Sequence, residues 1–318
     1  MYLVWGAFIL FVIFMLALDL GVFHKKNTAI SMKESLIWTA VWIFMAILFS
    51  IPLYYIYKAD IKHIDIDGLH EKEAVISFLT GYVIEKSLSL DNIFVIALIF
   101  AYFKVPLKYQ HRILFWGILG AIIFRGTMII LGASLIRNFH WITYFFGAIL
   151  LYSAWKMLKS KPEETDFKES SGVKLLSKFF PISWELHDGR FFVRINKKRT
   201  ATVLFACLIV VEFSDVLFAI DSIPAIFAIT TDPFLVFSSN IFAILGLRSL
   251  YFFLANILDR FQYLKYSLIF VLFYVGVKML LIDFYKFPAL LSLFIILFSL
   301  TIGIVYSLFK NKKEAEFN

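Results

Sequence analysis

The chain lacks the residues on which many proteins build disulfide or transition-metal sites. Its 318 residues include one cysteine, Cys207, which excludes an intramolecular disulfide and a cysteine-cluster metal site. The histidines all lie in loops or at the ends of apolar runs, so zinc and copper are poor candidates for a buried site. They are His24, His63, His70, His111, His140 and His187.

Common enzyme motifs are missing as well. The sequence has no Walker motif, no nucleophile elbow and no His-Glu-x-x-His pair, and we therefore expect no enzyme. The net charge of +8 fits the excess of Lys and Arg on the cytoplasmic side of membrane proteins better than nucleic acid binding. No nucleic acid partner is expected.

Apolar surface is what the chain has in excess. Hydrophobic residues make up 61% of it, with 38 phenylalanines, and the mean hydropathy is +0.83. A soluble domain could not bury that much apolar surface. Runs of about 20 apolar residues, each long enough to cross a bilayer, recur along the chain. The sequence therefore predicts an all-α integral membrane protein with a single transmembrane domain over residues 1–318 and the lipid bilayer as its surroundings.

Nine transmembrane spans are predicted, and the first has neither the charged start nor the cleavage site of a signal peptide. They are 2–23, 36–57, 74–101, 112–136, 141–159, 202–229, 235–256, 264–285 and 288–309. Nine spans put the termini on opposite sides of the membrane. Lys and Arg are concentrated in one set of connections, including the long loop 160–200, and this predicts an external N-terminus and a cytoplasmic C-terminus.

Two segments of the chain carry the same pattern of acidic residues. Glu85-Lys-Ser-Leu-Ser-Leu-Asp91-Asn92 aligns with Asp215-Val-Leu-Phe-Ala-Ile-Asp221-Ser222. In each half the next span carries one arginine in an apolar context, and the span after that carries a Tyr-x-x-x-Lys-Met-Leu sequence. The pattern predicts two three-helix repeats, 74–159 and 202–285, with 2–23, 36–57 and 288–309 outside them. An odd number of helices gives the two copies opposite orientations, as in many secondary transporters.

The acids of these segments lie near the middle of their spans, where a carboxylate costs about 2.5–3.5 kcal/mol to insert. A bound cation or proton uptake would offset this cost. Pro224 follows the second acidic pair and predicts a break in that helix with free carbonyls. Carboxylate, amide and carbonyl oxygens suit hard divalent cations such as Mg²⁺, Ca²⁺ or Mn²⁺. The candidate metal-binding residues are Glu85, Asp91, Asn92, Glu212, Asp215, Asp221 and Ser222.

Four further charged residues are candidates for the ion pathway or for charge pairing: Asp19, Arg125, Arg248 and Lys278. Arg125 and Arg248 are expected to pair with some of the acids. Asp19, near the end of the first span, fits a role in the pathway and a helix-capping role equally well. Ion pairs that merely hold helices together are the alternative explanation for all of these buried charges.

Several stretches resemble the TerC/Alx family of bacterial integral membrane proteins. The stretches are ALDLGVFHKK at 17–26, GYVIEKSLSLDNIFV at 81–95, VVEFSDVLFAIDSIPAIFAIT at 210–230, SNIFAILGLRSLYFF at 239–253 and YVGVKMLLIDF at 274–284. The resemblance implies a multi-pass protein of the bacterial cytoplasmic membrane that exports manganese, with Mn²⁺ as the transported substrate and no permanent cofactor. It points to the same acidic positions as the repeat.

The leading hypothesis is export of a divalent cation, most naturally Mn²⁺, in exchange for protons. A second hypothesis is a membrane scaffold that does not transport and uses the 160–200 loop to dock other membrane or secreted proteins in a stress-resistance or secretion complex. A third is export of another small solute, for which the buried Arg and Lys residues would bind an anion.

Overall fold

The protein is almost entirely helical. The computed structural model describes residues 2–23, 32–59, 68–139, 141–159, 170–195, 197–254, 264–285 and 287–317. The helices are α1 (Tyr2–Phe23), α2 (Met32–Lys58), α3 (Glu71–Tyr102), α4 (Leu107–Asn138), α5 (Ile142–Lys159), α6 (Ser171–Phe179), α7 (Val203–Phe227), α8 (Pro233–Ile244), α9 (Leu247–Leu254), α10 (Leu264–Leu280) and α11 (Ala289–Phe317). The strands are β1 (Ile182–Ser183), β2 (Phe192–Ile195) and β3 (Lys198–Thr202).

A helix or a helix pair covers most of each of the nine segments predicted as spans, as far as their residues are described. Among the described residues, four helices (α2, α4, α7 and α11) are long and apolar enough to cross a membrane unaided. A fifth span results if α8 and α9, which are bent by 41° at a short break, are counted together. The structure thus confirms a helical membrane protein with four or five clear spans, and the number nine stays a prediction.

The start and end of α8 follow from local chemistry. Asp232 caps the helix, because its Oδ1 accepts hydrogen bonds from the backbone N–H groups of Phe234 at 2.8 Å and Leu235 at 3.2 Å. Pro233 occupies the first turn, where its missing N–H is not needed. The helix ends before Gly246, whose φ of +79° is in the left-handed region that favours glycine. The chain therefore turns between α8 and α9.

The prediction of a helix break at Pro224 is wrong. α7 is continuous from Val203 to Phe227 and includes Pro224. The proline lies in the last turn, where it removes one backbone hydrogen bond close to the end of the helix. The helix ends three residues later, and no second segment follows the proline. The broken helix of this half lies instead in the next segment, between α8 and α9.

The loop after α5 folds against the ends of α3, α4 and α7. Its three strands form a sheet in the order β1-β3-β2, in which β3 is parallel to β1 and antiparallel to β2. α6 packs on α7. Arg112, near the start of α4, donates a hydrogen bond to the Gly189 carbonyl at 2.7 Å and lies over the Phe191 ring. Residues 160–169 of the predicted loop lie outside the described residues.

The helix packing places α3 at the centre of the bundle. α3 packs against α2, α7, α8 and α11, while α4 packs against α7 and α8. α5 packs closely along α10, where a Cβ added to Gly147 would lie 3.1 Å from the Gly276 carbonyl oxygen, and the reverse distance is also 3.1 Å. Small residues that allow such close approach are typical of helix pairs in membranes.

Candidate functional site

The candidate site lies where α3, α4, α7 and α8 meet. Glu85 from α3 is completely buried, and Arg125 from α4 is 1% exposed. Asp215 from α7 keeps 19% of its side chain exposed. The local sequence explains this arrangement, because each of these charged residues lies within an apolar helix that offers few polar partners of its own. They therefore have to satisfy one another.

Arg125 is the centre of this cluster. Its Nε and Nη2 atoms donate to the two carboxylate oxygens of Asp215, at 3.0 and 2.7 Å, in the bidentate fork typical of strong Arg–carboxylate pairs. Its Nη1 forms an ion pair with Glu85 Oε1. The same Nη1 lies 3.4 Å from Asn240 Oδ1 and 3.5 Å from Ser222 Oγ. One guanidinium thus connects three other helices.

Amide groups complete the hydrogen bonding of the two carboxylates. Asn240, on α8, donates from Nδ2 to Glu85 Oε2 at 3.2 Å. Asn92, two turns after Glu85 on α3, donates from Nδ2 to Asp215 Oδ1 at 3.5 Å. All four oxygens of Glu85 and Asp215 therefore accept at least one hydrogen bond from Arg125 or an amide.

Glu212 lies next to this cluster but is bonded differently. It precedes Asp215 by three residues on α7 and so shares a face of that helix with it. Its Oε2 is buried and has no hydrogen-bond partner among the described residues. The carboxylate lies directly against Gly120 of α4, at a position that a Cβ on that glycine would occupy. The site thus holds a carboxylate oxygen with unused capacity to bind a cation.

Asp221 contacts a different helix. Its Oδ1 accepts a hydrogen bond from Ser153 Oγ of α5 at 2.6 Å. The helices that carry Asp91 and Asp19 are described, but these two side chains are not. Arg248 on α9 is 1% exposed, and Lys278 on α10 donates to Ser292 Oγ of α11 at 3.1 Å. The structure therefore brings Glu85, Asn92, Asp215 and Ser222 together around Arg125, with Glu212 beside them.

The broken end of α8 also holds a cationic group. Lys86, which follows Glu85 on α3, donates from Nζ to the carbonyl of Ala243 at 3.1 Å. The last carbonyls of a helix carry partial negative charge and lack helical partners when the helix stops. A lysine ammonium at this position stabilises the break inside the bundle.

Among the described residues, no group of three or more His, Cys, Asp or Glu side chains is arranged to hold a metal ion. The cluster instead balances two carboxylates with one guanidinium. Sequence reasoning missed two residues of the site, Asn240 and Gly120. Asn240 had a signal, because it is a lone amide in the apolar run of α8, whereas nothing in the sequence tells which glycine faces a carboxylate.

Comparison with known proteins identifies relatives over nearly the whole chain. The model of the family described as "Integral membrane protein TerC family" matches residues 70–315. A membrane protein of Myxococcus xanthus without an assigned role is 45% identical over 97% of this chain and 92% of its own length. The Alx protein of Salmonella typhi, named as a proposed membrane-bound redox modulator, is 43% identical over 98% of this chain and 96% of its own.

Alx of Escherichia coli K12 carries the same name and is 44% identical over 92% of this chain and 89% of its own length. No solved structure matches the chain significantly. The resemblance inferred from the sequence motifs is confirmed.

Proposed function

Because the chain belongs to the TerC family of integral membrane proteins, we propose that it exports a divalent metal cation, with Mn²⁺ as the leading substrate, in exchange for protons. The observation that carries the proposal is the meeting of Glu85 and Asp215. These residues occupy equivalent positions in the two acidic segments, and their carboxylates share one guanidinium inside the helix bundle. Two carboxylates with one guanidinium leave a net negative charge within the membrane, which is expensive unless a further cation accompanies it.

The packing of the helices supports two equivalent three-helix units, as the proposed repeat requires. If α3, α4 and α5 correspond to α7, α8–α9 and α10, exchanging the two units turns the α4–α7 contact into the α3–α8 contact. The pairs α3–α7 and α5–α10 map onto themselves. All of these contacts are present. Substrate sites of transporters built from such repeats lie between the two units, as Glu85 and Asp215 do.

The donor set favours a hard cation. Glu85, Asp215 and Glu212 supply carboxylate oxygens. The amide oxygen of Asn240 lies 3.4 Å from Arg125 Nη1, and that of Asn92 is buried without a hydrogen-bond partner among the described residues. Oxygen ligands of this kind suit Mn²⁺, Mg²⁺ and Ca²⁺, whereas thiolate and imidazole ligands select softer metals. Asp91, Asp221 and Ser222, further along the same two helices, are proposed to extend the set.

We propose exchange for protons because moving a metal cation outward costs free energy. Moving two positive charges outward against an inside-negative potential costs about 4.6 kcal/mol per 100 mV. Protons flowing inward provide the opposing free energy. We place the protein in the bacterial cytoplasmic membrane, where such a potential and proton gradient exist.

The name of the Alx relatives raises the question of redox chemistry. Cys207 is the only cysteine in the sequence, and it is completely buried in α7. Reactive cysteines need exposure and a neighbouring positive charge or a second thiol. We therefore assign no thiol chemistry to this chain.

The test measures Mn²⁺ uptake into vesicles reconstituted with the purified protein, in which its cytoplasmic face lies outward. A metal-sensitive dye inside the vesicles reports the uptake. Uptake is expected with an acidic lumen and should fall when a protonophore collapses the proton gradient. Asp215→Asn and Glu85→Gln should each lower the initial rate at least about tenfold, a loss of about 1.4 kcal/mol of transition-state stabilisation. The matched control is Glu185→Gln, an exposed carboxylate in the loop.

Elution of the variants as monodisperse protein shows that they are folded. Wild-type vesicles that take up no more Mn²⁺ than empty vesicles would rule out Mn²⁺ transport. Uptake by Asp215→Asn at the wild-type rate would show that Asp215 does not bind the transported metal. The same assay with Ca²⁺ and Mg²⁺ ranks the substrates.

A further inference from the structure

Arg125 lies where the proposed transport needs a metal ion. A divalent cation bound directly by Glu85 and Asp215 would use carboxylate oxygens that already accept N–H groups of the guanidinium. The fork on Asp215 occupies both oxygens of that residue, at 3.0 and 2.7 Å. A metal ion and the guanidinium therefore compete for the same ligands.

The two carboxylates depend on Arg125 for a positive charge partner. Glu85 is 0% exposed, and no other Lys or Arg among the described residues forms an ion pair with Glu85 or Asp215. The ammonium of Lys86 donates to the Ala243 carbonyl instead. Without Arg125, the metal-free site would hold the completely buried Glu85 and the partly buried Asp215 with no ion-pair partner among the described residues, and removing one partner of a buried ion pair is strongly destabilising.

Resting on the proposed function, we propose that Arg125 is a tethered counter-cation that replaces the transported metal in the empty state. The metal displaces the guanidinium from at least one carboxylate when it binds, and the guanidinium returns when the metal leaves. A site whose negative charge is partly balanced in this way can change its accessibility without a bound metal, in the step that carries the exchanged protons inward. Net transport needs that step, whereas exchange of one metal ion for another does not.

The guanidinium also lowers the apparent metal affinity. When a competing state dominates, the apparent dissociation constant of the ligand is the intrinsic constant divided by the fraction of molecules that are competent to bind. If the guanidinium-bound state holds about nine-tenths of the molecules, removing it strengthens metal binding about tenfold. An exporter benefits from this weakening, because tight binding would slow metal release on the outer side.

The experiment compares wild type with Arg125→Gln, and uses Arg137→Gln as the matched control because Arg137 is an exposed arginine on the same helix. Three quantities are measured: the Mn²⁺ dissociation constant by calorimetry, net Mn²⁺ movement into metal-free vesicles, and exchange of radioactive Mn²⁺ against Mn²⁺ on the other side. Arg125→Gln is expected to bind Mn²⁺ at least about tenfold more tightly, to lose net movement and to keep exchange. Arg137→Gln should match wild type in all three.

Weaker Mn²⁺ binding by Arg125→Gln, loss of exchange together with net movement, or wild-type behaviour in all three would overturn the inference. If Arg125→Gln does not give monodisperse protein, Arg125→Lys carries the test, because one ammonium cannot form the fork on Asp215 while reaching Glu85. Tighter binding with slower net movement then supports the inference, and unchanged or weaker binding overturns it. Wild-type protein that neither binds nor moves Mn²⁺ overturns the proposed function itself, and the inference falls with it.

Discussion

At the scale of single residues, the site shows how few side chains determine the state of a buried charge. Glu85 and Asp215 have every carboxylate oxygen engaged, whereas Glu212 keeps one buried oxygen without a partner among the described residues. Leaving a buried acceptor unsatisfied costs about 1–3 kcal/mol, and more when the group is charged. No hydrogen bond among the described residues holds this oxygen of Glu212. Its carboxylate packs against Gly120, and this contact is possible because glycine has no side chain.

Gly120→Ala tests this dependence. The new Cβ would overlap the Glu212 carboxylate, so that side chain has to leave its position beside Asp215. We expect Mn²⁺ uptake to fall while stability changes little, because the clash falls on the far end of a flexible side chain and alanine favours the helix. Uptake in vesicles and the thermal unfolding midpoint measure the two effects.

Gly117→Ala is the matched control for this prediction. It lies one turn earlier on the same helix, and its Cβ would meet only Val211 Cγ1, at an ordinary 3.6 Å. Its uptake and midpoint should stay close to wild type. Equal behaviour of the two alanine variants would show that the position of Glu212 does not matter for transport.

At the scale of helices, the sequence predicted the elements well and one of their interruptions wrongly. Apolar runs of span length mark helices because a backbone in lipid has to satisfy its own hydrogen bonds. Proline was used as the signal for a break, but Pro224 lies in the last turn of α7. The real break depends on Gly246, whose left-handed backbone the sequence does not reveal. Glycine is common in membrane helices, and composition alone does not distinguish a break from close packing.

Gly246→Ala tests whether this break is important for the fold. Alanine rarely adopts a φ of +79°, and its Cβ would lie 2.5 Å from the Trp42 ring of α2. Backbone strain and overpacking each cost about 1–3 kcal/mol. We expect the thermal midpoint of Gly246→Ala in detergent to fall clearly below wild type.

The control is Gly6→Ala in α1, where the added Cβ meets nothing within 4 Å and helix propensity favours alanine. Its midpoint should equal or exceed that of wild type. If Gly246→Ala melts at the wild-type temperature, the stability of the fold does not depend on glycine at the turn between α8 and α9.

The residues of the site were only partly predictable, for a physical reason. Acids inside apolar runs are conspicuous in a sequence because each is costly in a membrane. Their partners are set by which helix faces meet. Pairing of Arg125 with acids was anticipated, but its fork on Asp215 and the amide of Asn240 depend on the contact of α4 and α8 with α3 and α7. The strands after α6 were missed because their register depends on docking against the helix ends.

At the scale of the whole molecule, the open question is how the helices are oriented in the membrane. The nine predicted spans and the inverted repeat together require that equivalent connections of the two repeats lie on opposite sides. Lys104 follows α3, the first helix of repeat one, and Thr231 follows α7, the first helix of repeat two. The excess of Lys and Arg predicts that Lys104 faces the cytoplasm, and the repeat then requires Thr231 to face outward.

Single cysteines at these two positions measure the orientation directly. The native Cys207 is completely buried, so a membrane-impermeant maleimide reports the introduced thiol. Thr231→Cys should be labelled in intact cells and right-side-out vesicles, and Lys104→Cys only in inverted vesicles. Labelling of both from the same side would show that the two units are parallel. Glu85 and Asp215 would then not be related by an inverted repeat, and the transport proposal would lose that support.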